Sequence, residues 1–222
     1  MTADGARPGR RRIPRRRAGQ QIVEAVVEAA EQLVAEAGIE HLTTARLAER
    51  SGTSVGSIYQ YFESKEAVLF EVGRRLERRA LGLAVARLAA LPEASLADAR
   101  DIFIDVLLGP ELGHLRVRQA VLRFVPREGM ERESRSVDED AAEVVAEILA
   151  RHRDALRPGP VNIMGFVVQH ALESVVESAV LQAPELLEDP AFREELRRLA
   201  SAYLGLSPPE PASPPSTGSE TR

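Results

Sequence analysis

Cysteine and tryptophan are absent from the 222 residues, and aromatic side chains make up only 4% of them. The first absence excludes disulfides, thiolate nucleophiles and cysteine-ligated metal in this sequence. The scarcity of aromatics means that any core is built chiefly from Leu, Val and Ala. No run approaches the eighteen or so uninterrupted apolar residues of a membrane span, and no apolar signal-peptide core follows the N-terminal arginines. A cytoplasmic chain with no membrane partner is therefore expected. Strand-type alternation is lacking as well. What remains is 44% hydrophobic and 28% charged residues, ordinary values for a globular protein.

A surplus of positive charge is also missing, since the net charge is -5. Its placement is uneven. Arg7, Arg10, Arg11, Arg12, Arg15, Arg16 and Arg17 set seven cations against the single acid Asp4 within residues 1–17. A basic arm ahead of an acidic body suits contact with nucleic acid or another anionic surface. Enzyme chemistry finds little support. His41, His114, His152 and His170 show no metal-ligand spacing, there is no Gly-rich phosphate loop, and no nucleophile has a defensible base. We expect no catalytic residue, no metal and no cofactor.

Between Pro and Gly stops the apolar residues recur at three- and four-residue steps, which predicts an all-α chain of about nine helices. Ile22, Val26, Ala29, Ala30, Leu33 and Ala37 make one face of a helix of about twenty residues that ends at Gly38. Further stops fall at Pro92, Pro110, Pro126, Pro158 and Pro160, Pro184 and Pro190, because proline has no backbone donor and clashes with the preceding turn. From Ser207 onward the composition is rich in Pro, Ser, Glu, Thr and Gly with no large apolar side chain, so 207–222 is expected to be a disordered tail. Residues 1–17 are expected to be a flexible basic arm.

The most informative stretch is residues 43–65. Thr43 caps a short helix with Leu47 and Ala48 inward, Gly52 takes a sharp turn, Ser54 caps a second short helix carrying Ile58, and Ser64 caps a third with Glu66 in its first turn. Ala48, Gly52 and Ile58 have the spacing of a helix-turn-helix: a small residue for close approach, a glycine for the turn, a branched residue to lock the second helix. Phe62 reads as core.

The pattern Thr-Thr-x-x-Leu-Ala-x-x-Ser-Gly-x-Ser-x-Gly-x-Ile-Tyr-x-Tyr-Phe-x-Ser-Lys-Glu resembles the DNA-binding signature of the tetracycline-repressor (TetR) family over residues 18–70. Thr53 departs from it, standing where the family usually has an apolar residue. The resemblance implies a helix-turn-helix DNA-binding domain over 18–65 and a helical regulatory and dimerisation domain over 66–206. It implies that the second short helix enters the major groove of double-stranded DNA. Val55, Gly56 and Gln60 match base-facing positions; Gln60 is suited to adenine and Val55 to a thymine methyl. Ser57, Tyr59, Tyr61, Thr44 and Lys65 match phosphate-holding positions, with Arg46 outward nearby. Residues 18–65 hold only three cations, Arg46, Arg50 and Lys65, against seven acids. The arginine arm is therefore expected to supply the missing phosphate neutralisation.

The same resemblance implies a homodimer built on the last two long helices, matching two half-sites of a near-palindrome. Ala171, Ser174 and Ser178 form a run of small residues on a helix over 161–183, and Phe192, Leu196, Leu199 and Tyr203 lie on one side of a helix over 190–206. These seven are the candidate interface. Phe103, Leu107, Phe124, Met164 and Val168, with the polar His114, Gln119 and His170, are candidates for a small-molecule effector site. The expected function is a transcriptional repressor released from its operator by a hydrophobic ligand. The alternative is a DNA-binding regulator without such a switch, controlled by a protein partner or constitutive.

Overall fold

The computed structural model describes residues 17–91, 93–110, 113–125 and 144–206. The arm through residue 16, the stop at Pro126 and the tail from Ser207 lie outside the described residues, as does Pro92. Among the described residues there are nine α-helices and no strand. They are α1 (Arg17–Ala37), α2 (Thr44–Ser51), α3 (Val55–Tyr61), α4 (Lys65–Ala89), α5 (Leu96–Leu108), α6 (Leu115–Phe124), α7 (144–151), α8 (Val161–Gln182) and α9 (Pro190–Leu204). Short 3-10 turns join α1 to α2 and α8 to α9.

Local chemistry sets the ends of the first four helices. α1 stops one residue before Gly38. Thr43, Ser54 and Ser64 each accept a backbone N–H from the first turn of α2, α3 and α4, at 3.3, 3.0 and 3.2 Å. Such caps satisfy donors that a helix start leaves open, each contributing about 1 kcal/mol. Gly52 closes α2 at φ 65°, a left-handed conformation that a β-carbon disfavours.

Packing then assembles two regions. In the first, Val26, Ala30, Leu33 and Val34 of α1 meet Leu47, Ile58 and Phe62, together with Val68 to Val72 of α4 and Val117 and Val121 of α6. This core crosses residue 65, since the first half of α4 is buried within it. In the second, Ile104 and Leu107 of α5 pack against Leu172, Val176 and Val180 of α8 and Leu196 and Ala200 of α9. A third cluster joins Leu96, Leu149, Met164 and Leu204. Burying side chains of this size contributes about 2 kcal/mol each.

Ion pairs fasten the elements from outside. Glu31 of α1 meets Arg79 and Arg75 of α4, Asp101 of α5 meets Arg197 of α9, and Asp105 meets Arg193. α8 is the one described helix long and apolar enough to cross a membrane by length and mean hydropathy. Its buried face carries Leu172 and Val176 into the core of the chain.

Candidate functional site

α2 and α3 form the expected helix-turn-helix. Leu47 and Ile58 are buried on one side, so α3 turns its other side to solvent. Val55 is 41% exposed, Tyr59 is 47% exposed, and Gly56 and Gln60 are exposed as well. Ser57 is half-buried, its hydroxyl 2.9 Å from that of the capping Ser54. Phe62 is buried in the head core, while Tyr61 is half-buried and packs against it. Thr53 keeps its departure from the pattern inexpensive: its hydroxyl lies 2.7 Å from that of Ser51, so the polar atom is satisfied beside the turn.

The starts of α2 and α4 converge beside α3 around a hollow of about 280 Å³ lined by Thr43, Thr44, Tyr59, Ser64 and Lys65. The Thr44 hydroxyl is 3.3 Å from the Tyr59 hydroxyl. Two helix N-termini, two hydroxyls and an ammonium suit a phosphate, since backbone N–H groups and helix dipoles both favour negative charge there. Arg46 is exposed on α2. Arg50 is otherwise engaged: its guanidinium donates to both carboxylate oxygens of Glu36, at 2.9 and 2.7 Å. That fork lowers the Glu36 pKa, first by hydrogen bonding and then by charge, and raises that of Arg50.

The second region holds a cavity of about 460 Å³ between α4, α5, α6, α7, α8 and α9. Its wall is mainly aliphatic. Of the expected effector residues, Phe103, Leu107, Val168 and His170 line it. The other four do not. Met164 is fully buried against Leu149 in the third cluster; Gln119 donates to the Val180 carbonyl at 2.9 Å; His114 caps α6 by accepting from Arg116 N–H; Phe124 points into solvent. The sequence reading missed Leu81, Ala84 and Leu88 of α4, which continue its apolar periodicity past the head. It also missed the polar wall residues Arg118, Gln169, Glu173 and Glu177. Gln169 was open to detection, because it stands in step with Leu172 and Val176 on the buried side of α8. Among the described wall residues only His170 and Ser174 are exposed, so the cavity opens beside α8.

The outer face of α8 carries Ile163 (55% exposed), Phe166 (60% exposed), Val167 and Val175, with Ser174 and Ser178 between them and Ala171 half-buried at the edge. Phe166 stacks on His170 with ring centroids 4.0 Å apart. On α9, Leu199 is exposed, whereas Phe192 and Tyr203 are half-buried against their own chain. Leu196 corrects the expectation. At 2% exposure it is part of the core formed with α5 and α8, and no partner chain can reach it.

An exposed recognition helix, held by its neighbours over a helical body with an internal cavity, defines a helix-turn-helix DNA-binding transcriptional regulator. Residues 26–72 match the family of bacterial regulatory proteins of the tetR type, and residues 95–204 match the Tetracyclin repressor-like C-terminal domain. The chain belongs to the TetR family of transcriptional regulators.

Solved structures carry the same fold. A TetR-family transcriptional regulator from Streptomyces coelicolor is 24% identical, with 84% of this chain and 97% of that one covered at a TM-score of 0.60. NalD, the secondary repressor of the MexAB-OprM multidrug efflux pump in Pseudomonas aeruginosa, is 18% identical, with 83% and 98% covered at 0.59. A transcriptional regulator from Rhodococcus sp. Rha1 is 16% identical, with 82% and 95% covered at 0.59. No curated protein sequence matches the chain.

Proposed function

We propose that this protein is a cytoplasmic homodimeric repressor that leaves a near-palindromic operator when a small hydrophobic molecule fills the cavity between α4 and α8. One observation carries the reading: α4 belongs to both sites. Its first half, Ala67 to Val72, is packed into the head core, and its second half, including Ala80 and Ala84, lines the cavity. A ligand that displaces the second half moves the first, and with it the separation of two recognition helices that must meet successive major grooves.

Base readout is assigned to Val55, Gly56 and Gln60, and backbone contacts to Thr44, Arg46, Ser57, Tyr59, Tyr61 and Lys65. With Arg50 held by Glu36, Arg46 and Lys65 are the exposed cations beside α3 among the described residues. This makes the arginine arm the main remaining source of charge for the DNA backbone. The dimer is assigned to the outer faces of α8 and α9, where exposed Ile163, Phe166, Val167 and Leu199 ask for cover. Repression rather than activation follows the solved relative NalD, itself a repressor.

The test is selection of bound sequences from a random DNA pool with purified protein, followed by release of the selected duplex by a panel of hydrophobic compounds. A two-fold-symmetric site released by some of the compounds is expected. A site without symmetry overturns the dimeric reading. A symmetric site that no compound releases favours control by a protein partner or constitutive binding.

A further inference from the structure

The cavity wall contains a polar group that the fold leaves unanswered. Gln169 of α8 is 4% exposed and lines the cavity. Its Nε2 donates to Oε1 of Glu173 one turn on, at 3.1 Å, while its own Oε1 has no hydrogen-bond partner. Glu173 accepts that bond, so the NH2 group faces Glu173 and the carbonyl oxygen faces away. A buried amide oxygen without a donor is unusual in a folded chain. It also stands among apolar neighbours, with Leu172 and Val176 on the same side of the helix. Other polar wall groups are engaged within the protein: Arg118 donates to the Leu107 carbonyl at 3.0 Å, and Arg100 to Asp101 and Ser201.

Resting on the reading of this cavity as the effector site, we propose that the effector is a mainly aliphatic molecule carrying a hydroxyl group that donates to Gln169 Oε1. The oxygen is closed over by its own chain, so a small rotation of the amide accompanies binding. The aliphatic wall takes up the body of the ligand, and the unanswered Gln169 oxygen selects its polar end. A site built around a buried polar group discriminates strongly against an analogue that lacks the matching donor, because that group then stays unpaired.

The test uses the full-length dimer and two matched probe series, primary alkanols of eight to twelve carbons (~8–12) and their methyl ethers, titrated by calorimetry. The ethers keep the chain and the oxygen but lose the donor. Wild-type protein is expected to bind an alkanol about tenfold more tightly than its ether. Gln169→Leu, checked for helical content by circular dichroism, is expected to bind both alike. Equal affinities in wild type overturn the assignment of Gln169 while leaving the cavity a ligand site. A tenfold preference that persists in Gln169→Leu overturns it as well. Binding of neither series removes the effector site, and the proposal with it. If Gln169→Leu does not fold, Gln169→Met takes its place, and equal affinities in the wild type overturn the assignment in either case.

Discussion

Replacing Lys65 by alanine separates phosphate contacts from everything else the reading head does. Lys65 is exposed at the start of α4, on the rim of the hollow formed with Thr44 and Tyr59. A dimer presents it twice. Each neutralised phosphate steepens the fall of log K with log salt by about 0.9, so losing two contacts should flatten that slope by about 1.8. Between about 50 and about 200 mM salt, this amounts to roughly a twelvefold smaller loss of affinity. Fluorescence anisotropy on a random duplex at a series of salt concentrations measures the slope without knowledge of the operator. Arg50 supplies the control. It lies on α2, but its guanidinium is clasped by Glu36, so Arg50→Ala should leave the slope as it is. Removal of residues 1–16 should flatten the slope more than Lys65→Ala does. A wild-type slope for Lys65→Ala, or an equal loss for Arg50→Ala, would refute the assignment of phosphates to the hollow.

Other substitutions probe separate links in the argument. Gln60→Ala should relax base preference at one position of each half-site in a sequence selection while leaving the salt slope unchanged, since Gln60 is exposed on α3 and uncharged. Gly205→Ala should destabilise the chain by about 2 kcal/mol, because Gly205 sits at φ 77° and an added Cβ would lie 2.8 Å from Cβ of Arg157. A melting temperature roughly 5 °C lower is the expected readout. Asp98 accepts from the Ser95 hydroxyl and backbone N–H, and the hydroxyl bond is the first cause of its lowered pKa. Its stabilisation is therefore fully present above the unfolded carboxylate range and is lost as pH falls through the lower folded value. In Ser95→Ala the NMR titration midpoint of Asp98 should rise toward the ordinary value. Phe166→Asp should convert the dimer to a monomer in sedimentation experiments, with helical content retained, because the side chain is 60% exposed and its loss removes nothing from the core.

What the sequence disclosed well is what short-range chemistry decides. Thr43, Ser54 and Ser64 act within three residues of themselves, and the stop at Gly38 needs no tertiary contact. Inward positions of α2 and α3 were equally legible, because Leu47 and Ile58 have few ways to be buried in helices so short. The cavity and the dimer face were less so. Met164 and Val168 sit one turn apart on α8 and look alike as apolar residues, yet one fills a cluster with Leu149 and the other borders a void. That difference depends on how α7, the preceding helix, packs against α8, which the periodicity of α8 alone does not give. Leu196 and Leu199 present the same problem on α9. Three residues apart, they fall on the same broad side of a helix, and the positions of α5 and α8 decide that Leu196 is core and Leu199 exposed.

The helix that joins both regions from the other side is α6, and its composition explains how ten residues can serve two cores. Val117, Ala120 and Val121 face the head, packing with α1 and α4. Leu115 and Leu122 face the second core, and Arg118 and Leu122 border the cavity. Polar anchors hold the helix at each side: Arg116 donates to the Glu36 carbonyl near the end of α1, and Gln119 to the Val180 carbonyl of α8. Burial disfavours the charged form of Arg118 and lowers its pKa, with the charge of Glu177 opposing the shift. A desolvated guanidinium bonded to the Leu107 carbonyl of α5 resists displacement, since losing that bond would leave it buried and less well paired. Helix α6 is less than three turns long and too short to absorb a shift at Leu122 by bending. Displacement of its cavity face therefore carries Val117 and Val121 with it against α1 and α4. Because α4 also spans both regions, the head is held to the body along two helices, and a ligand biases it only in so far as it prefers one placement of that pair over another.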